Sequence, residues 1–171
     1  SRGLGDVYKR QPYYITSPVI MLLLESGIPV EAITVMVQKE AAQRLCAKVG
    51  TRQAGAVTAA VQFYGKAELL FEVSRGSFMP SPNVDSAVIR IKPDKYYRSM
   101  VDDKDLFFKV VRGAFSQRRK TMVNSLSSVL GVPKSLLSEC LEFCGIEKNI
   151  RAEQLSMEEL ILFANRLKNV I

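Results

Sequence analysis

The chain has 171 residues, a formal charge of +7 and an apolar fraction of 47%, enough for one ordinary domain or a modest domain with a small appendage. It contains no His, so the commonest metal ligand and the usual general base are both missing. Its three Cys include no C-x-x-C pair, which excludes a disulfide framework and a zinc finger. Cys140 and Cys144, four apart in a helical pattern, read as buried thiols of a cytosolic protein. The longest apolar run, residues 19–24, is too short to span a bilayer, and residues 1–11 have no apolar stretch of the signal-peptide type. The expectation is a basic, cytoplasmic, monomeric protein with an anionic partner, no membrane contact and no metal.

The elements follow in order. Residues 17–26 read as a short helix, with Ser17 as N-cap, Pro18 at the first helical position and Gly27 as the stop. Residues 32–37 (AITVMV) form a continuous β-branched run of the kind buried on both faces in a parallel sheet. Helical spacing returns at 39–49, ended by Gly50, and at 57–64, closed by Gly65. Strands are expected at 68–73 (ELLFEV) and 87–91 (AVIRI), the second with the alternation of a half-exposed edge. A Pro-rich loop at 74–86 separates them, so an antiparallel pair is possible. Residues 92–103 read as a linker. Beyond it lie four amphipathic helices, at 105–115, 121–130, 134–143 and 157–170.

One charge feature stands out. Between Lys109 and Lys120 there are five cations, Lys109, Arg112, Arg118, Arg119 and Lys120, and no acid. A solvated helix end explains them if they sit near a C-terminus, where the macrodipole favours cations. A phosphate-contacting patch explains them equally well, each neutralised phosphate adding salt-dependent affinity.

Three segments carry chemistry when taken together: Pro12-Tyr13-Tyr14-Ile15-Thr16-Ser17-Pro18, Ser77-Phe78-Met79-Pro80-Ser81-Pro82-Asn83-Val84-Asp85-Ser86, and Ala114-Phe115-Ser116-Gln117-Arg118-Arg119-Lys120-Thr121. In this order and spacing they resemble the small-subunit ribosomal RNA adenine dimethyltransferases, the kasugamycin-sensitivity family. Val35-Met36-Val37-Gln38-Lys39-Glu40 is similar to it as well. The resemblance covers almost the whole chain from Pro12 onward. It implies an α/β fold: the C-terminal half of a class I, Rossmann-like methyltransferase sheet, followed by a small all-helical domain. Residues 32–37 would be its fifth strand, and 68–73 and 87–91 the last two, as an antiparallel ending.

The implied activity is S-adenosylmethionine-dependent dimethylation of two adjacent adenines near the 3′ end of small-subunit rRNA, on a nearly assembled ribosomal particle. That chemistry needs no metal and no His, but an unstacked base held by aromatic faces and oriented by acceptors. By the resemblance, Pro12 offers its carbonyl to the adenine amine, Tyr13 stacks on the base, and Phe78 is the second aromatic wall. Asp85 and Ser86 are expected to fix the loop. Arg118, Arg119 and Lys120 match the family's basic stretch at the head of a helix and would contact RNA phosphates, with Arg112 beside them.

The register places Arg10 where the family has Asn and Gln11 where it has Leu. A guanidinium is donor-only and cannot accept the adenine amino hydrogens. The family's first strands, Gly-rich cofactor loop and cofactor-holding acids do not precede Pro12. Cofactor-binding residues are therefore expected upstream, and the chain is expected to be an inactive fragment that binds S-adenosylmethionine poorly. Three regions result: a non-native leader at 1–11, a partial methyltransferase domain with linker at 12–101, and a helical domain at 102–171. Two other functions remain open, a non-catalytic module that docks on ribosomal RNA and a large-subunit rRNA adenine methyltransferase of the resistance type.

Overall fold

A computed structural model describes residues 16–171. Pro12, Tyr13, Arg10 and the expected leader lie outside the described residues. Helix α1 spans Thr16–Glu25. Its first residue precedes Ser17, so the expected N-cap is already helical and the true cap position lies outside the described residues. Gly27, at φ +71°, takes the left-handed conformation that releases the chain from the helix.

Strand β1 is Ile33–Gln38, helix α2 Lys39–Leu45, helix α3 Ala56–Tyr64, strand β2 Gly65–Val73 and strand β3 Ser86–Pro93. The sheet order is β1-β3-β2. Both pairings are antiparallel, with Ile33 opposite Ile91 and Val37 opposite Ala87 on one side, and Ala67 opposite Ile91 and Phe71 opposite Val88 on the other. The antiparallel ending expected of the last two strands is present.

Two positional readings change. The run at 32–37 is an edge among the described strands, pairs only antiparallel, and alternates: Ile33 and Val37 are buried, Thr34 and Met36 exposed. Residues 87–91, expected as an edge, form the central strand, and Ala87, Ile89 and Ile91 are fully buried. The reason is physical. A run of mostly β-branched residues, in which Thr34 is the one polar position, marks its buried face only weakly, whereas Arg90 and Lys92 look like edge residues but sit on the solvated face of a one-sided sheet. There Arg90 bonds and pairs with Glu68 opposite it, which holds the Glu68 carboxyl below its ordinary range.

The helical part comprises α4, Lys104–Phe115; α5, Met122–Leu130; α6, Lys134–Phe143; and α7, Met157–Lys168. Asp103, Thr121 and Ser156 cap α4, α5 and α7 through their side chains, each satisfying a backbone N–H that the helix leaves free. Gly113 lets α4 approach α5: a Cβ there would stand 3.0 Å from Leu126 Cδ2. Cys140 is buried and Cys144 half-buried, and burial pushes both thiols up. No helix among the described residues is long and apolar enough to cross a membrane, and none of their side chains cluster as a metal site.

The α/β and helical parts share one core. Phe63 of α3 stacks on Phe107 of α4 at 5.5 Å between ring centres and meets Phe108 edge-on at 5.1 Å. The expected linker is also tied down. After β3 it forms a 3-10 turn at Arg98–Met100, and Asn165 of α7 accepts from Asp102 N at 3.0 Å and donates to Met100 O at 2.8 Å. The Tyr97 hydroxyl donates to Glu158 at 3.0 Å.

Two outcomes follow from this packing. Phe63→Ala opens the shared core and lowers stability by about 3–5 kcal/mol; in urea, sheet and helix signals are lost in one transition. Burial, with Glu158 beside it, pushes the Tyr97 phenol up to about 12 from an unfolded value near 10. The folded state therefore holds the proton more tightly, and this contribution is intact below about pH 10 and lost as pH rises to about 12. Tyr97→Phe flattens that fall, as denaturant midpoints measured across the window show.

Candidate nucleic-acid interface

The loop from Ser74 to Asp85 joins the end of β2 to the start of β3. It begins with a 3-10 turn at Arg75–Ser77, capped by the Ser74 hydroxyl, which accepts from Gly76 N. Asp85 accepts from Arg75 N at 2.9 Å, the Arg75 guanidinium donates to Asn83 O at 3.1 Å, and the Ser81 hydroxyl donates to Arg75 O at 2.9 Å. Asp85 O in turn accepts from Lys39 N at 3.0 Å, fastening the loop to the start of α2. Asp85 thus fixes the loop as expected. Arg75, not singled out in the sequence, is its other anchor; the signal was an opposite charge at each end of a Pro-rich segment. Phe78 follows the turn in extended backbone and is half-buried, while Met79 beside it stands 98% exposed. Phe78 is therefore neither sealed in the core nor fully in solvent.

The cationic residues separate by environment. Arg112 lies in the last turn of α4, where the macrodipole favours a cation. With Lys109 it borders two grooves. One, of about 570 Å³, lies between α1, α3 and α4 and is also lined by Lys104; the other, of about 440 Å³, reaches Leu130 and Ile171. Arg118, Arg119 and Lys120 occupy the turn between α4 and α5, held by Lys120 N donating to Gln117 O at 3.0 Å and by the Ser125 hydroxyl donating to the same oxygen at 3.3 Å.

Lys120 stands two residues before Met122, the first residue of α5. That is the positive end of the helix dipole, where a cation is disfavoured and an anion attracted. A solvated helix C-terminus therefore does not account for this turn. Among the described residues no carboxylate lies within ion-pair distance of Arg112, Arg119 or Lys120, and all three are exposed.

Arg118 is different. Its Nη2 donates to Ala54 O at 2.7 Å and Arg52 O at 3.1 Å, clamping the turn onto the connection between α2 and α3. Those carbonyls lie more than sixty residues away in sequence, and no local pattern announces them.

The chain matches the family profile described as ribosomal RNA adenine dimethylase over residues 7–169. The chain belongs to this family. The match takes in Pro12, Tyr13, Phe78 and the cationic turn, and also residues 7–11. Among curated relatives, the chain is 45% identical over 159 residues to the ribosomal RNA small subunit methyltransferase A of Geobacillus thermodenitrificans, covering 91% of this chain and 54% of that protein. It is 42% identical to the protein of the same name from Halothermothrix orenii, covering 98% and 58%. The chain thus spans a little over half the length of these relatives. Among solved structures, a dimethyladenosine transferase from Plasmodium falciparum matches with a TM-score of 0.73 at 27% identity, over 89% of this chain and 62% of that one. The 23S rRNA methyltransferase ErmE matches with a TM-score of 0.62 at 21% identity, over 92% and 62%, a likeness of fold. The neighbours agree with the Rossmann-like methyltransferase class expected for the α/β part.

Arg118 and its two neighbours give different outcomes on substitution. Arg118→Ala removes two charge-assisted hydrogen bonds and lowers stability by about 1–2 kcal/mol, read by thermal melting. Arg119→Ala with Lys120→Ala leaves stability within about 0.5 kcal/mol of the parent, because neither side chain has a partner to lose.

Proposed function

We propose that the chain acts in dimethylating the exocyclic amines of two adjacent adenines in small-subunit rRNA, on a nearly assembled particle in the cytoplasm, with S-adenosylmethionine as methyl donor. The observation that carries this reading is that a chain of this family holds both a fastened loop with half-buried Phe78 and an unneutralised cationic turn at a helix N-terminus. The relatives' printed names, small subunit methyltransferase A, favour small-subunit RNA over large-subunit RNA.

The roles divide by chemistry. Phe78 offers a ring to a base turned out of its stack, an interaction worth about 1–3 kcal/mol. The loop that carries it is bonded to itself at both ends, so little ordering cost remains when the base arrives. Arg119, Lys120 and Arg112 neutralise backbone phosphates, while Arg118 holds the turn in place through Arg52 and Ala54. Pro12 and Tyr13, carried over from the resemblance, supply the carbonyl acceptor and the first aromatic wall. The described residues do not fit the cofactor itself: the Nε atoms of Arg98 and Arg166 are buried without partners, and as donors they cannot replace the acids that grip an adenosine ribose. Their part is to bind and orient RNA.

Binding to small-subunit particles tests this. The logarithm of the association constant falls linearly with the logarithm of salt, by about 0.7–0.9 per phosphate neutralised. Arg112→Ala, Arg119→Ala and Lys120→Ala together reduce that slope by about 2–3. Phe78→Ala weakens binding by roughly 5- to 100-fold with the slope unchanged. An unchanged slope in the triple variant removes the phosphate assignment.

A further inference from the structure

A third recess, of about 340 Å³, opens at the far end of the sheet, where β2 begins and β3 ends. The Phe78 loop joins the opposite ends of these same strands, roughly 26 Å away at 3.3 Å per strand residue. The recess is lined by Cys46, Lys48, Gln62, Lys66, Asp94 and Tyr96, with Tyr97 at its rim.

The walls are fixed before any ligand arrives. The Gln62 amide donates to Ala47 O at 3.0 Å, Asp94 accepts from Tyr96 N at 3.1 Å, and the Tyr97 hydroxyl is committed to Glu158. Tyr96 packs against Tyr97 at 4.9 Å with the rings 73° apart, yet remains 64% exposed. Two ammonium groups, Lys48 and Lys66, line the same space, both exposed and with no carboxylate in ion-pair distance among the described residues. Glu68, the nearest acid in sequence, is already bonded to Arg90. Burial, with Glu68 adding to it, pushes the Cys46 thiol up to about 11, so it stays neutral near pH 7 and is a poor nucleophile. Nothing in the recess supports covalent chemistry. It is built to bind.

We infer that this recess binds a nucleoside phosphate, with the base against Tyr96 and the phosphate between Lys48 and Lys66. An exposed aromatic ring beside paired cations is the arrangement that holds unstacked nucleotides without base-specific readout, and the volume is within the range of small-ligand sites. Two sources share this chemistry: a free mononucleotide, and a single-stranded nucleotide of the RNA bound through the cationic turn. Only the second rests on the function proposed above.

Isothermal titration of the chain with adenosine 5′-monophosphate and with a hexameric oligoadenylate tests the assignment. Tyr96→Ala weakens oligoadenylate binding about five-fold or more, Tyr96→Phe by less than about two-fold because the ring remains, and Lys48→Gln with Lys66→Gln weakens it while flattening its salt dependence. Tyr96-sensitive binding of the mononucleotide as well assigns the recess to free nucleotides; sensitivity of the oligonucleotide alone assigns it to an RNA strand. Failure of both probes to bind, or binding equal in Tyr96→Ala and the parent, overturns the inference. Arg119→Ala with Lys120→Ala serves as the separate arm: a loss there with Tyr96 sensitivity retained leaves the recess standing and moves the failure to the turn.

Discussion

The three strands among the described residues are too few to make a core alone; α2 and α3 pack against them, and Phe63 of α3 against Phe107 and Phe108 of α4 extends that core into the helical part. That contact makes one core of the α/β and helical parts, and the remaining ties between them depend on it. With α3 and α4 docked, Arg118 can reach the carbonyls of Arg52 and Ala54, and Asn165 can strap the backbone at Met100 and Asp102 to α7. The junction thus sets where the cationic turn stands relative to the sheet and its loop.

The electrostatics then sort by helix polarity. Arg112 sits where a helix end stabilises it, whereas Lys120 sits where a helix start opposes it. A sequence that keeps exposed, unpaired cations at a positive helix end forgoes a little stability to hold positive potential there. Such potential favours an anion such as a phosphate group. Arg118 shows that membership of a basic run does not settle a residue's role: one edge of its guanidinium is spent on backbone carbonyls, and its neighbours are not.

Much of the fold is legible in the sequence where contacts are local. The helical part reads to within a residue or two because its apolar spacing is local. The caps Asp103, Thr121 and Ser156 are just as local, but the spacing does not single them out and takes Thr121 as helical. Strand order is less legible. ITVMV is β-branched almost throughout, with only Thr34 to mark its outer face, and AVIRI carries Arg90, so the central strand reads as an edge until pairing is known. Phe78 and the cationic turn are visible as motifs, and Asp85 as a loop anchor. The Arg118 clamp and the recess beside Tyr96 are not, since each joins segments tens of residues apart.

The most direct measurement is ultraviolet crosslinking of the chain to small-subunit ribosomal particles, with crosslinked peptides mapped by mass spectrometry and large-subunit RNA as the competitor. Crosslinks are expected in the peptides carrying Phe78 and residues 117–121, retained in the presence of large-subunit RNA. Crosslinks that avoid both segments, or that large-subunit RNA abolishes, would contradict it.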